Sequence, residues 1–254
     1  MQLHVVGSSP AMPRPGSACS SYLLRTGDTA LLFDIGSGAV GNLQLAIEYP
    51  QLDAVVVTHM HADHYFDLVP LRYSLRYGPV VRESRLPLWL PPGGAGVLAA
   101  LREIVSTERH DDFFDCVFDV REYDPDRPLE LRGVRLTFCR TRHYISAFAI
   151  RAEHDGAAMT YSADTAPCDA VVEHARASAL FLCEAALGLG NESGERGHTS
   201  AEEAGEMAQR AGAGHLLLTH YGAGTAPGAL VEAAKRRFSG AVTAAQDGMT
   251  LVVA

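Results

Sequence analysis

The segment Thr58-His59-Met60-His61-Ala62-Asp63-His64 gathers three imidazoles and a carboxylate within six residues, directly after a Val-rich run at 52–57. Neutral imidazole is a ligand for Zn, Fe or Ni, and an added carboxylate widens the choice towards Mn. On an extended chain alternate side chains point the same way, so His59 and His61 can face one cation. A turn after Ala62 lets Asp63 and His64 face a second.

Those side chains need elements to position them. Apolar runs at 3–7, 20–25 and 30–35, separated by Gly-, Pro- and Ser-rich loops, predict short strands, with Thr26-Gly27-Asp28 at a hairpin. The run 52–57 predicts a buried strand, and 41–49, 66–77 and 97–105 predict helices. Strands are predicted again at 117–122, 134–139, 147–152 and 157–162, with His154-Asp155-Gly156 as a hairpin turn. The chain then alternates: helix 168–177, strand 180–183, helix 201–211, strand 215–219, helix 229–238, strand 249–253. Thr199-Ser200-Ala201-Glu202-Glu203 offers a hydroxyl cap with acids in the first turn. No Ser/Gly linker, charge block or repeat interrupts this order. The expectation is one domain over residues 1–254, with sheets covered by helices.

Composition narrows the class. Of 254 residues, 47% are hydrophobic and 20% charged, which excludes wholesale disorder. A net charge of −9 argues against coating nucleic acid or a membrane by bulk electrostatics. It leaves room for a nucleotide held by metals or by a local Arg cluster. No run approaches the ~20 apolar residues of a membrane span. The N-terminal residues lack the basic and long apolar regions of a secretory signal. Five scattered cysteines with no C-x-x-C pair are expected as plain buried thiols in a reducing cytosol.

His-x-His-x-Asp-His after a Val-rich strand, followed in order by His143, Asp164 and His220, resembles the signature of the metallo-β-lactamase fold. The resemblance spans essentially the whole chain. It implies a four-layer αββα sandwich, two mixed sheets flanked by helices, with a two-metal site between them. It implies His59, His61 and His143 for one metal, and Asp63, His64 and His220 for the other. Asp164 would bridge them, its two oxygens serving cations roughly 3.5–4 Å apart. Two Zn2+ are the first expectation, with Mn2+ or Fe2+ as alternatives.

Phe181-Leu182-Cys183-Glu184-Ala185-Ala186 and Gly197-His198-Thr199-Ser200 resemble paired motifs of the ribonuclease Z-like branch. There a strand-end Glu orients a His that protonates the leaving oxygen. Cys183 and Ala186 depart from that pattern, standing where the branch has His and Thr. The tRNA-gripping arm of ribonuclease Z proteins belongs between His143 and Asp164, an interval of only 21 positions here. Val6-Gly7-Ser8-Ser9, Phe33-Asp34-Ile35-Gly36-Ser37-Gly38 and Leu182-Cys183-Glu184-Ala185 are similar to the armless atypical class II cyclic-nucleotide phosphodiesterases of actinobacteria. The implied activity is hydrolysis of a small phosphodiester such as cAMP by hydroxide formed at the metals. Asp63 would orient that hydroxide, and His198, held by Glu184, would protonate the ribose oxygen. RNA 3′-end processing, hydrolysis of another ester, and nucleotide binding without hydrolysis are the competing expectations. Relatives in this branch are often dimers, which leaves a homodimer open.

Gly36-Ser37-Gly38-Ala39-Val40-Gly41 also matches G-x-G-x-x-G. Two strands precede it, however, and the next strand ends in Thr58-His59 instead of an acid for a ribose. In the metal reading it is the loop beneath the site, and Asp34 orients a ligand His. His4, His110, His154, His174 and His215 lack partners at ligand spacing. Arg140 and Arg142 share the face opposite Thr141, and Arg72, Arg76, Arg82 and Arg85 are expected on a solvated surface.

Overall fold

A computed structural model describes residues 1–106 and 112–254; His110 lies outside the described residues. In chain order the strands and helices are β1 (Gln2–Gly7), β2 (Ser21–Thr26), β3 (Thr29–Phe33), α1 (Ala39–Ala46), β4 (Ala54–Val56), α2 (Ala62–Tyr65), α3 (Leu68–Tyr77), β5 (Leu86–Leu90), α4 (Gly94–Val105) and β6 (Phe118–Glu122). They continue with β7 (Leu129–Leu131), β8 (Val134–Arg140), β9 (Phe148–His154), β10 (Ala157–Tyr161), α5 (Asp169–His174), β11 (Leu180–Glu184), α6 (Ala201–Ala211), β12 (His215–Thr219), α7 (Pro227–Lys235), β13 (Ala241–Ala244) and β14 (Thr250–Val252).

These strands form two seven-stranded sheets, ordered β14-β1-β2-β3-β4-β5-β6 and β13-β12-β11-β10-β9-β8-β7. Each is mixed: β3 to β6 pair in parallel and β14 to β3 antiparallel, while β10 to β13 pair in parallel and β7 to β10 antiparallel. Burial on both faces explains why β3 and β11 read as unbroken apolar runs instead of alternating ones. Ala30 and Leu32 of β3 point to Leu43, Leu71 and Leu98 of the covering helices, while Leu31 and Phe33 point between the sheets. In the second sheet Phe181 and Cys183 meet Val171, Met207 and Ala234 of α5–α7, and Leu180 and Leu182 face the first sheet. The order is helix, sheet, sheet, helix. This is the expected four-layer sandwich.

Turn chemistry fixes several boundaries. Asp155 and Gly156 both have positive φ, 49° and 79°, at the predicted β9–β10 hairpin. The α6 start carries a full capping box, with Ser200 and Glu203 bonding reciprocally, and Gly212 ends it in the left-handed conformation.

Three strands were not legible in the sequence. β5 contains Pro87, which argues against a central strand. Its pairing with β4 begins only at Leu88, so the missing N–H of Pro87 falls where no β4 residue needs it. β7 and β13 are three and four residues long and carry too little apolar pattern. The predicted helix 66–77 is preceded by the short α2, which carries Asp63 and His64. The Arg surface expectation also needs correcting. Arg72 is buried against Phe113, Tyr73 and Tyr77 and donates to the Phe113 carbonyl at 2.9 Å. Arg82 donates to the Pro50 and Leu52 carbonyls at 2.7 and 2.6 Å. Only Arg76 and Arg85 are solvated.

The glycines of Gly36-Ser37-Gly38-Ala39-Val40-Gly41 have unequal roles. A Cβ on Gly36 would sit 1.9 Å from the Asp63 carbonyl oxygen, so its absence lets this loop press against the 59–64 turn. Gly38 is the left-handed residue ahead of α1, and Gly41 lies in the helix with open space around it. Gly36→Ala is expected to lower stability in urea by about 1–3 kcal/mol through overpacking. Gly41→Ala should be neutral or stabilising by up to about 1 kcal/mol. Equal effects at both positions would contradict the packing argument.

Candidate metal centre

Every candidate residue except His198 stands at or just beyond the C-terminal end of a strand. Asp34 follows β3, the 59–64 segment follows β4, His143 follows β8, Asp164 follows β10, Glu184 ends β11 and His220 follows β12. Parallel strands ending together at one edge of both sheets bring residues 186 positions apart into one cluster. Backbone strain is concentrated there. Asp34, Ala163 and His220 have φ of 58°, 51° and 53°, conformations that non-glycine residues rarely adopt.

The donor atoms fall into two groups. His59, His61, His143 and Asp164 form one, and Asp63, His64, Asp164 and His220 the other; within each, one donor atom per residue lies within 4.8 Å of the rest. Asp164 belongs to both. Its Oδ2 stands 3.7 Å from His59 Nε2, 3.8 Å from His143 Nε2 and 3.3 Å from His220 Nε2, while Oδ1 stands 3.4 Å from His64 Nε2. His61 Nδ1 and His143 Nε2 are 3.0 Å apart. Asp63 Oδ2 is 3.5 Å from His64 Nε2 and 3.8 Å from His220 Nε2.

The far nitrogens are held from behind. His64 Nδ1 donates to Asp34 Oδ2 at 2.8 Å, and His143 Nδ1 donates to the Gly197 carbonyl at 2.8 Å. His59 Nδ1 pairs with Thr58 Oγ1 and His220 Nδ1 with Ser20 Oγ, at 3.0 and 2.8 Å. Such bonds fix tautomer and ring orientation, leaving the other nitrogen as a ligand atom. Asp34 is itself fully buried and accepts from Thr58 N, Thr58 Oγ1 and Tyr161 Oη. The expectation that Asp34 orients a ligand His thus has a direct geometric counterpart. Ser20, Tyr161 and the Gly197 carbonyl went unnoticed in the sequence, because nothing in their spacing signals a bond to residues so distant.

This donor set suits divalent metals. His59 Nε2, His64 Nε2 and Asp164 Oδ1 are buried without a hydrogen-bond partner. Orphaned buried polar atoms cost about 1–3 kcal/mol each, so three in one place point to cations that would satisfy them, His59 in one donor group, His64 in the other and Asp164 in both. Burial, with neighbouring imidazoles, pushes the His59 and His61 pKa values down, and burial also lowers His143. Metals bind the neutral imidazole, so these three rings are in the required state at neutral pH. Burial alone would raise the Asp164 pKa. The surrounding imidazoles, led by His220, outweigh it and hold the group well below the usual carboxylate range.

Beside the two groups stands a Glu–His pair. Glu184 is fully buried; its Oε1 accepts from His198 Nδ1 at 2.9 Å and from Thr165 N at 2.8 Å. Its Oε2 accepts from Ala186 N and Thr199 N. The His198 ring lies 5.0 Å from that of His143 and 6.0 Å from that of His220. Burial works against a charge on His198, but the Glu184 bond and charge outweigh it and push the pKa up to about 9. Arg140 and Arg142 are exposed, while Thr141 turns inward and donates to the Asp164 carbonyl at 2.7 Å. His4, His154, His174 and His215 lie outside both groups.

Asp34→Asn should weaken zinc binding about 10–100-fold, as expected for losing the carboxylate behind a ligand His. Competition against a chromophoric chelator reads this directly, and unchanged affinity would reduce Asp34 to a packing role.

Comparison with known proteins places this geometry. Residues 29–221 match the family model of the beta-lactamase superfamily domain. A protein of Mycobacterium leprae is 33% identical over 98% of this chain and 88% of its own length. The probable metallo-hydrolase YhfI of Bacillus subtilis is 29% identical over 98% of each chain, and its crystal structure superimposes with a TM-score of 0.86 at 28% identity. A ribonuclease Z of Mycobacterium bovis is 28% identical over 90% of this chain and 88% of that protein. The chain belongs to the beta-lactamase superfamily and is a metallo-hydrolase of the metallo-β-lactamase fold.

Proposed function

We propose that the protein hydrolyses a small phosphodiester, with a cyclic nucleotide such as cAMP as the substrate class. The observation that carries this reading is the Glu184–His198 pair at 2.9 Å, beside the seven-residue donor set. The alkoxide expelled from a diester of two alcohols is a poor leaving group and needs a proton at the departing oxygen; a buried carboxylate bonded to a half-buried His provides an oriented donor. Two divalent metals, most simply Zn2+, would supply Lewis acidity and activate a water nucleophile. The residues do the rest. His59, His61 and His143 would hold one cation and Asp63, His64 and His220 the other, with Asp164 belonging to both donor groups. Asp63, buried at the start of α2, also orients the nucleophile. His198 enters protonated at neutral pH, gives its Nε2 proton to the leaving oxygen, and is kept in register by Glu184.

Substrate size follows from the interval between His143 and Asp164. It is filled by β9, the Asp155-Gly156 turn and β10, with no projecting arm. This supports a small substrate over tRNA. The ribonuclease Z likeness supports RNA 3′-end processing as the second reading, and faster cleavage of a precursor tRNA than of cAMP would favour it.

With Zn- or Mn-loaded protein, cAMP, cGMP or a bis(nitrophenyl) phosphate should turn over, and failure on every phosphodiester overturns the reading. His198→Ala should keep both metals but lose ~10²–10⁴-fold on a ribose leaving group, with a much smaller loss on nitrophenolate. His61→Ala and Asp164→Ala should lose metal and activity on both.

The acid form of His198 is the active one, so turnover of the ribose diester should fall as pH rises through about 9. Glu184→Gln removes the charge that raises this pKa and should move that limb to lower pH. A limb that stays in place in His198→Ala belongs to another group.

A further inference from the structure

His198 belongs to a stretch, residues 188–200, that has neither helix nor strand between β11 and α6. Glu184 holds its ring, but something else must hold its backbone. Glu192 Oε2 accepts from Gly197 N at 2.9 Å and from His198 N at 3.3 Å, and Glu192 Oε1 accepts from the Tyr144 hydroxyl. The Tyr144 ring lies flat against Gly197, so close that a Cβ there would be 2.5 Å from it. The same ring meets His143 at 5.0 Å and His198 at 5.6 Å between centroids. Gly197 is therefore pinned at both ends, its N–H to Glu192 and its carbonyl to His143 Nδ1.

We propose that Tyr144 and Glu192 form a positioning latch that sets the reach of His198 into the cleft and ties it to the metal-facing His143. This rests on the reading of His198 as proton donor. Neither residue touches the reacting atoms; both act through the 197–198 peptide. The Tyr144 hydroxyl is the donor in this bond and Glu192 the acceptor, so the phenol closes the latch onto the carboxylate that holds the Gly197 and His198 amides. Tyr144→Phe keeps the ring but loses the bond. Glu192→Gln keeps the shape but cannot accept from the hydroxyl and both amides through two acceptor atoms.

Each variant should slow turnover of a ribose diester about three- to tenfold, the usual net worth of one such bond, and leave the nitrophenyl diester within twofold. The double variant should be no slower than the worse single one, because both cut one connection. In a His198→Ala background Tyr144→Phe should cost nothing further. Hydrogen exchange at the Gly197 and His198 amides should quicken in both variants, with metal or without it. Additive losses, equal losses on both leaving groups, or unchanged exchange would overturn the latch. If His198→Ala itself shows no leaving-group preference, the acid reading falls and the latch with it. If His198→Ala does and the latch variants do not, the latch alone falls.

Discussion

The carboxylate of Asp164 is the constraint around which the site is built. It is buried, one of its oxygens has no hydrogen-bond partner, and it lies within 4 Å of four imidazoles that come from both sheets. A charge taken out of water and left so exposed to its neighbours is costly unless something compensates it. Strand ends from two layers must therefore meet at this point. Ala163 stands at positive φ just before Asp164, and Thr141 Oγ1 donates to the Asp164 main-chain carbonyl. Loops that would otherwise be free to vary are tied to one atom pair.

Burial acts on every histidine here in the same direction, yet the outcomes diverge. At His59, His61 and His143 burial prevails and drives the ring towards the neutral form. His198, bonded to the buried Glu184, and His64, bonded to Asp34 and beside Asp164, are driven the other way. A carboxylate within hydrogen-bond reach thus reverses what burial alone does, at His198 only 5.0 Å from the ring of His143. Those carboxylates stand at or just beyond the ends of β3, β10 and β11, which shows how much of the scaffold is committed to orientation.

The fold was readable where local pattern and layer burial agree. The doubly buried β3 and β11 announce themselves as apolar runs, Asp155-Gly156 names its own turn, and Ser200 with Glu203 names a helix start. Strand β5 was hidden because Pro87 violates a rule that its neighbour's short reach makes irrelevant. The seven donor residues were readable from order and context, and the structure brings all seven together. What holds them was not. Ser20 meets His220 across 200 positions and Tyr161 meets Asp34 across 127, contacts that no local period encodes. The G-x-G-x-x-G match shows the opposite failure: a motif whose spacing is right and whose glycines have other reasons, one of them the approach of Gly36 to Asp63.

Strand β14 lies beside β1, with Gln2 opposite Val252, so the first sheet gains its outer strand only from the far end of the chain. Pairings of such sequence separation are formed late, since the entropy of closing the loop precedes any gain from the contact. During synthesis the 59–64 turn emerges with one edge of its sheet open. Its imidazoles are then without the partners that β8, β10 and β12 later bring. An emerging first half thus presents an unpaired sheet edge, the kind open to mispairing, and only four of the seven candidate donors.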